Sequence, residues 1–169
     1  MYTVDASDRV VGCADAPLPD SGAALPFIIS NEQRLLLAYM AANTEAGDTF
    51  SVELMTPDSQ GYVALVEFNH PRAHMFGPPN DETFSSHPLA NRGLRPYGSF
   101  EVIDSSWIRQ LIGMNRARHP WNPYEGMRHF IFSFHDSTFE CVAKSLAVNL
   151  REGSVRDVMF EIMQKLQGP

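Results

Sequence analysis

Apolar and polar positions alternate along RHFIFSFHDSTFECVAKSLAV, residues 128–148, with the period of two that marks a strand. Asp136-Ser137 near its centre predicts a β-hairpin with a two-residue turn, in which His135 faces Thr138, Phe134 faces Phe139 and Ser133 faces Glu140. Paired positions share a face of the sheet. One face then carries Phe130, Phe132, Phe134, Phe139, Cys141 and Ala143 and reads as core. The other carries His129, Ile131, Ser133, His135, Thr138, Glu140, Val142 and Lys144 and is mixed.

Upstream, TFSVELMTP and YVALVEFNHP flank a turn at residues 58–61 and predict antiparallel strands near 49–55 and 62–68. In PFIISNEQRLLLAYMAAN the apolar run Leu35 to Met40 is too continuous for a helical stripe. It fits a strand buried on both faces, with Asn31-Glu32 as a turn, although Leu, Ala, Met and Gln favour helix. A period near 3.6 appears twice. In DSSWIRQLIGMNRAR, Trp107, Ile108, Leu111 and Ile112 share a face behind a cap at Asp104 or Ser105, and the helix ends near Arg118 before Pro120 and Pro123. Near the C-terminus, Ser154 and Asp157 resemble a capping box. Val155, Val158, Met159, Ile162, Met163 and Leu166 follow as an apolar stripe.

Two stretches lack periodicity. Residues 69–98 hold Pro71, Pro78, Pro79, Pro88 and Pro96 and read as a long loop, ordered by Met75, Phe76, Phe84, Leu89, Leu94 and Tyr97. Residues 1–25, rich in Ala, Asp, Pro, Gly and Ser, read as a flexible tail with room for one short edge strand at Arg9 to Gly12. The expected architecture is therefore α+β: a single domain over residues 26–169, with a mostly antiparallel central sheet of five or six strands, two helices on one side of it and a long ordered loop.

Composition narrows the function. A chain of 169 residues, 44% hydrophobic and 20% charged, builds a core without disulfides or metals. A net charge of −7 repels phosphate backbones and anionic lipid, so neither nucleic acid nor membrane is an expected partner. The N-terminal residues have no basic and apolar leader pattern, and no apolar run is long enough to span a bilayer; a cytoplasmic location is expected. Cys13 and Cys141 form no CxxC pair or disulfide framework, and reduced thiols fit that location. Eleven arginines stand against two lysines, Lys144 and Lys165. Arg92, Arg95, Arg109, Arg116, Arg118 and Arg128 make one stretch locally basic, suited to an anionic partner unless they are only solvated faces.

The segments GPPNDE at 77–82, HPL at 87–89, GLRPYG at 93–98, FEVIDSSWI at 100–108 and RHFIFSFHDSTFECVA at 128–143 resemble a family of small bacterial proteins. The resemblance covers roughly half the chain. It implies that the long loop and the hairpin belong to one folded unit, and it implies no activity.

No phosphate loop, dinucleotide fingerprint, nucleophile elbow or zinc-protease motif is present, and no cofactor is expected. Cys141, mid-strand on the core face, reads as a small buried hydrophobe. His135, Asp136 and Glu140 form the polar end of the hairpin. A histidine beside a carboxylate on one face suits acid–base catalysis; the simpler reading is a turn built by Asp136 and a polar lattice of His135 and Glu140 with Ser133. His70, His74 and His87 are the candidate metal ligands, with Asp81 and Glu82 nearby, although Pro71 prevents His70 and His74 from sharing a helical face. Asn80, Asp81, Glu82, Tyr97 and Trp107 are candidate ligand-binding residues; Asn80 and Asp81 also suit organising an irregular loop. Trp121 and Tyr124 add aromatic surface beside them.

Together these features point to a non-catalytic binding or interaction domain whose partner is a protein or a small molecule, with a homo-oligomer left open. The competing expectation is a small enzyme that uses His135 and Glu140 with the histidines of the 70–98 loop.

Overall fold

The computed structural model describes residues 2–22, 24–42 and 56–167; the strand expected near 49–55 lies outside them. Nine strands are found among the described residues: β1 (Arg9–Gly12), β2 (Phe27–Ser30), β3 (Leu35–Met40), β4 (Gly61–Asn69), β5 (Ala73–Gly77), β6 (Gly98–Ile103), β7 (Arg128–Ser133), β8 (Thr138–Ala143) and β9 (Ser145–Gly153). Two helices accompany them, α1 (Ser106–Arg116) and α2 (Val155–Gln167). None of the described helices is long and apolar enough to cross a membrane.

The chain is α+β and mostly sheet, but the strands form two antiparallel sheets rather than one. Their orders are β1-β6-β7-β8-β5 and β2-β3-β4-β9. The reason is two-sided burial. Phe130, Phe132, Phe134, Phe139, Cys141 and Ala143 face Leu35, Leu37, Tyr39, Ala64, Val66 and Phe68 across the central core. Phe68 meets Phe132 edge-on at 6.0 Å, and Tyr39 lies 5.5 Å from Phe134. Each such side chain contributes about 1.5–3 kcal/mol on burial. The outer face of each sheet is also apolar, so each takes its own cover. α2 places Val155, Val158 and Ile162 on Leu36, Ala38, Met40 and Val63 of one sheet. α1 and the 84–94 segment cover the other through Trp107, Phe84, Leu89 and Leu94. The helices therefore sit on opposite outer faces, not on one side.

Several expected elements are observed. The strand expected over Leu35 to Met40 is β3, all six residues of which are buried, and β2 pairs with it across the expected turn at Asn31-Glu32. Ser105 caps α1 by accepting from Ile108 N–H. The Ser154–Asp157 capping box forms, with Ser154 Oγ donating to Asp157 at 2.7 Å. The β7–β8 hairpin pairs Ser133 with Thr138 and Phe132 with Phe139, so its loop is four residues, 134–137, rather than two. The register differs by two from the expected one, which preserves the faces.

Two expectations are corrected. Within the supposed loop 69–98, Ala73–Gly77 pairs with β8 as an edge strand, and short 3-10 turns follow at Phe84–Ser86 and Ala90–Arg92. Prolines on both sides of β5 hide its alternation. The N-terminal residues are docked rather than a flexible tail. β1 pairs with β6, and Tyr2, Asp8, Cys13, Ala16 and Ala24 are buried. A composition average cannot register the few residues that anchor this segment.

Candidate functional site

β7 and β8 project His129 and Glu140 onto the outer face of the first sheet, where the 84–94 segment, α1 and the N-terminal residues close over them. Glu140 is the centre of a buried polar cluster. Leu89 N–H donates to His87 Nδ1 at 3.1 Å, which leaves the ring hydrogen on Nε2, 3.2 Å from Glu140 Oε1. His129 Nε2 stands 2.9 Å from Glu140 Oε2, and its Nδ1 stands 2.9 Å from Ser105 Oγ, the cap of α1. Tyr2 donates its phenol hydrogen to Glu140 Oε2 at 2.7 Å. Burial alone would raise the Glu140 carboxyl, but the hydrogen bonds from His129 and His87 outweigh it and hold the group at about 2. Burial and the neighbouring Glu140 push the Tyr2 phenol up, so it stays a donor.

A second cluster is half-exposed. Asp81 reaches the hairpin loop from the segment after β5, its N–H donating to His135 C=O at 2.9 Å. His135 Nδ1 lies 2.9 Å from both Asp81 Oδ2 and the Tyr97 hydroxyl. Tyr97 also donates to Asp81 through a short hydrogen bond. That bond, with lesser help from His135, holds the Asp81 carboxyl low, while burial and Asp81 push Tyr97 up to about 12. His135 Nε2 points away, 3.9 Å from Asp136, whose side chain is largely in solvent.

The candidate residues divide accordingly. His135 and Glu140 share no hydrogen bond or ion pair and sit in different clusters, because His135 falls in the four-residue loop and not on the strand. His70 and His74 are exposed, and His74 pairs with Cys141 on the opposite face of the sheet from Glu140. Only His87 of the three candidate ligands joins a cluster, and its Nδ1 is occupied by Leu89 N–H. Binding a metal at its Nε2 would move the hydrogen to Nδ1 against that donor. Among the described residues no group of three or more His, Cys, Asp or Glu side chains is arranged to hold a metal ion. Asn80 organises its loop by accepting from Thr83 N–H and Oγ1, and Glu82 is exposed. Trp107 lies inside, stacked on Tyr2 and edge-on to His129.

Sequence reading missed Tyr2, Ser105 as a partner of His129, and His129 itself as part of a cluster. The available signal was the alternation that puts His129 and Glu140 on one face. The segments GPPNDE, HPL, GLRPYG, FEVIDSSWI and RHFIFSFHDSTFECVA each contribute to one cluster or the other: Asp81, His87, Tyr97, Ser105 and the pair His129 and Glu140.

The chain matches no family model, no curated protein and no solved structure.

The arginines also sort themselves. Arg92 is spent on the carbonyls of Ala6 and Asp8, Arg109 on Asp5 and Asp104 C=O, and Arg128 on Glu101 and Asp15. Arg116 and Arg118, at the end of α1 and just beyond it, are exposed and form no ion pair among the described residues. Beside them are His119, Met114 (74% exposed) and Trp121 (60% exposed). Asn115 holds the loop by donating to Trp121 C=O, and the Trp121 ring packs against His119 at 6.0 Å.

Proposed function

We propose that this chain is an interaction domain that binds an acidic, apolar-anchored segment of a protein partner at the tip formed by the end of α1 and the following loop. The observation that carries this reading is the pairing of exposed Trp121 and Met114 with the uncommitted Arg116 and Arg118. Aromatic residues, methionine and arginine are the types enriched at interfaces, and the planar guanidinium grips carboxylates in bidentate fashion. The rest of the molecule is acidic, so an acidic partner is steered toward the tip and repelled elsewhere. The buried Glu140 cluster supports the reading in a different way: its polar atoms are matched to one another. The test is a titration with a synthetic peptide alternating glutamates with leucine and phenylalanine, followed by NMR. Shifts should concentrate at residues 114–121. Shifts confined to other faces, or none at all, overturn the proposal.

A second reading rests on His135. Asp81 and Tyr97 anchor its Nδ1 and leave Nε2 toward solvent in a side chain 47% exposed, the arrangement of a general base. Under this reading the protein hydrolyses an activated ester such as 4-nitrophenyl acetate, and His135→Gln and Asp81→Asn both abolish the turnover. Equal rates for the wild type and both variants exclude it.

A further inference from the structure

The interaction reading leaves the buried cluster of His87, His129 and Glu140 unused. Part of its cover, beside the 84–94 segment and α1, is one side chain carried by a strap, the N-terminal segment. Tyr2 is buried, with 8% exposed, and Asp8 is buried at the other end, where it accepts from Ser106 N–H at 2.6 Å. Between them Thr3, Asp5, Ala6 and Ser7 are exposed, and only Val4 is half-buried. These residues are tied down by polar surface contacts: Thr3 exchanges hydrogen bonds with the Gln110 amide, Asp5 pairs with Arg109, and Ala6 C=O accepts from Arg92. Between its anchors this segment buries little, so lifting it gives up chiefly the two anchors and leaves the rest of the fold in place.

Tyr2 sits as a bound ligand would. Its ring lies parallel to Trp107, with centroids 5.2 Å apart and 7° between the planes. The edge of His129 closes one side at 5.3 Å and 82°. Its hydroxyl, at the end of the ring far from the backbone, donates to Glu140 Oε2. Trp107 and His129 are themselves locked edge-to-face at 5.0 Å, so the platform and the wall are held without Tyr2. Glu140 keeps its hydrogen bonds from His87 and His129, but Oε2 loses the phenol donor whenever the strap lifts.

We propose that the space filled by Tyr2 is a binding site for a small flat aromatic molecule carrying a hydroxyl or N–H donor at one end, and that the 2–8 segment is its resident competitor. The ring stacks on Trp107 and the donor completes Glu140. A phenol fulfils both requirements. A ring without a donor fulfils only the first and leaves a buried carboxylate oxygen short of a hydrogen bond.

The test uses 4-ethylphenol and its donor-free analogue ethylbenzene against the full chain. Trp121→Phe in every sample makes Trp107 the single fluorescent reporter. Tyr2→Gly opens the site. It should bind 4-ethylphenol with a change in Trp107 emission, and at least about tenfold more tightly than ethylbenzene. The chain with Tyr2 intact should bind 4-ethylphenol more weakly than Tyr2→Gly, because binding must first displace the strap. Should Tyr2→Gly fail to fold, Tyr2→Phe keeps the ring and removes only the donor; 4-ethylphenol should then bind it more tightly than it binds the chain with Tyr2. Equal affinity for the two ligands would reduce the site to an apolar cavity. No binding to the chain with Tyr2, up to the solubility of the ligand, would make Tyr2 an ordinary core residue. Either result overturns the proposal and says nothing of peptide binding at the tip, which is measured on the chain with Trp121.

Discussion

Tyr2 donates to Glu140 at 2.7 Å across 138 positions of chain, joining the first residues described to the eighth strand. The bond ends on a buried carboxylate, so it is worth more than one between neutral groups. Tyr2→Phe keeps the stacking on Trp107 and should cost about 1.5–3 kcal/mol in urea unfolding. Removing residues 2–8 should cost more, because Asp8 and its hydrogen bond to α1 go as well. A loss under about 1 kcal/mol on that deletion would return the segment to a flexible tail.

Acid should act through Glu140. Its carboxyl titrates at about 2 in the folded chain, against 4.5 for the unperturbed group. A depressed pKa means that the unfolded chain binds the proton more readily. The stability owed to this group is therefore complete above pH about 4.5 and is lost as pH falls toward about 2. In Glu140→Gln that part of the acid sensitivity should disappear, and the variant should be less stable at neutral pH by roughly 3–5 kcal/mol, the cost of breaking a buried pair. Measuring unfolding free energy from pH 6 to pH 2 for both proteins checks the two statements. Parallel curves would contradict the assignment.

α2 holds its sheet through Val155, Val158 and Ile162, the last only 5% exposed. Ile162→Ala should destabilise the chain by about 2–5 kcal/mol. Met163→Ala on the adjacent exposed position should change stability by less than about 0.5 kcal/mol. Chemical denaturation of the two variants side by side separates a docked helix from a loosely attached one.

The local code for this fold was legible where one residue pattern decided the outcome. Alternation sorted Phe132, Phe139 and Cys141 from Ile131, Glu140 and Val142, and the stripe with its Ser154–Asp157 box marked α2. Partition into two sheets was not legible, because a strand such as Leu35–Met40 reads the same whether its second face meets a helix or another sheet. The site was half legible. Asp81, Tyr97 and His135 were all candidates and do meet; Glu140 was grouped with His135 and the loop histidines, and of these it meets His87, with His129 beside it. His135 sits where loop length decides the geometry, and a four-residue loop looks like a two-residue turn in sequence. Tyr2 lay in a segment whose average composition predicts disorder, and averages do not register one stacked ring.

Charge reversal at Arg116 and Arg118 probes peptide binding at the tip. The affinity of a labelled Glu/Leu/Phe peptide should be measured by fluorescence anisotropy for the wild type, Arg116→Glu/Arg118→Glu and Arg34→Glu. Arg34 is a control of the same charge, engaged with Glu67 on the other sheet. Binding at the tip requires a loss of at least about tenfold for the double reversal, a wild-type affinity that weakens with added salt, and little change for Arg34→Glu. Equal affinities for all three proteins would contradict it.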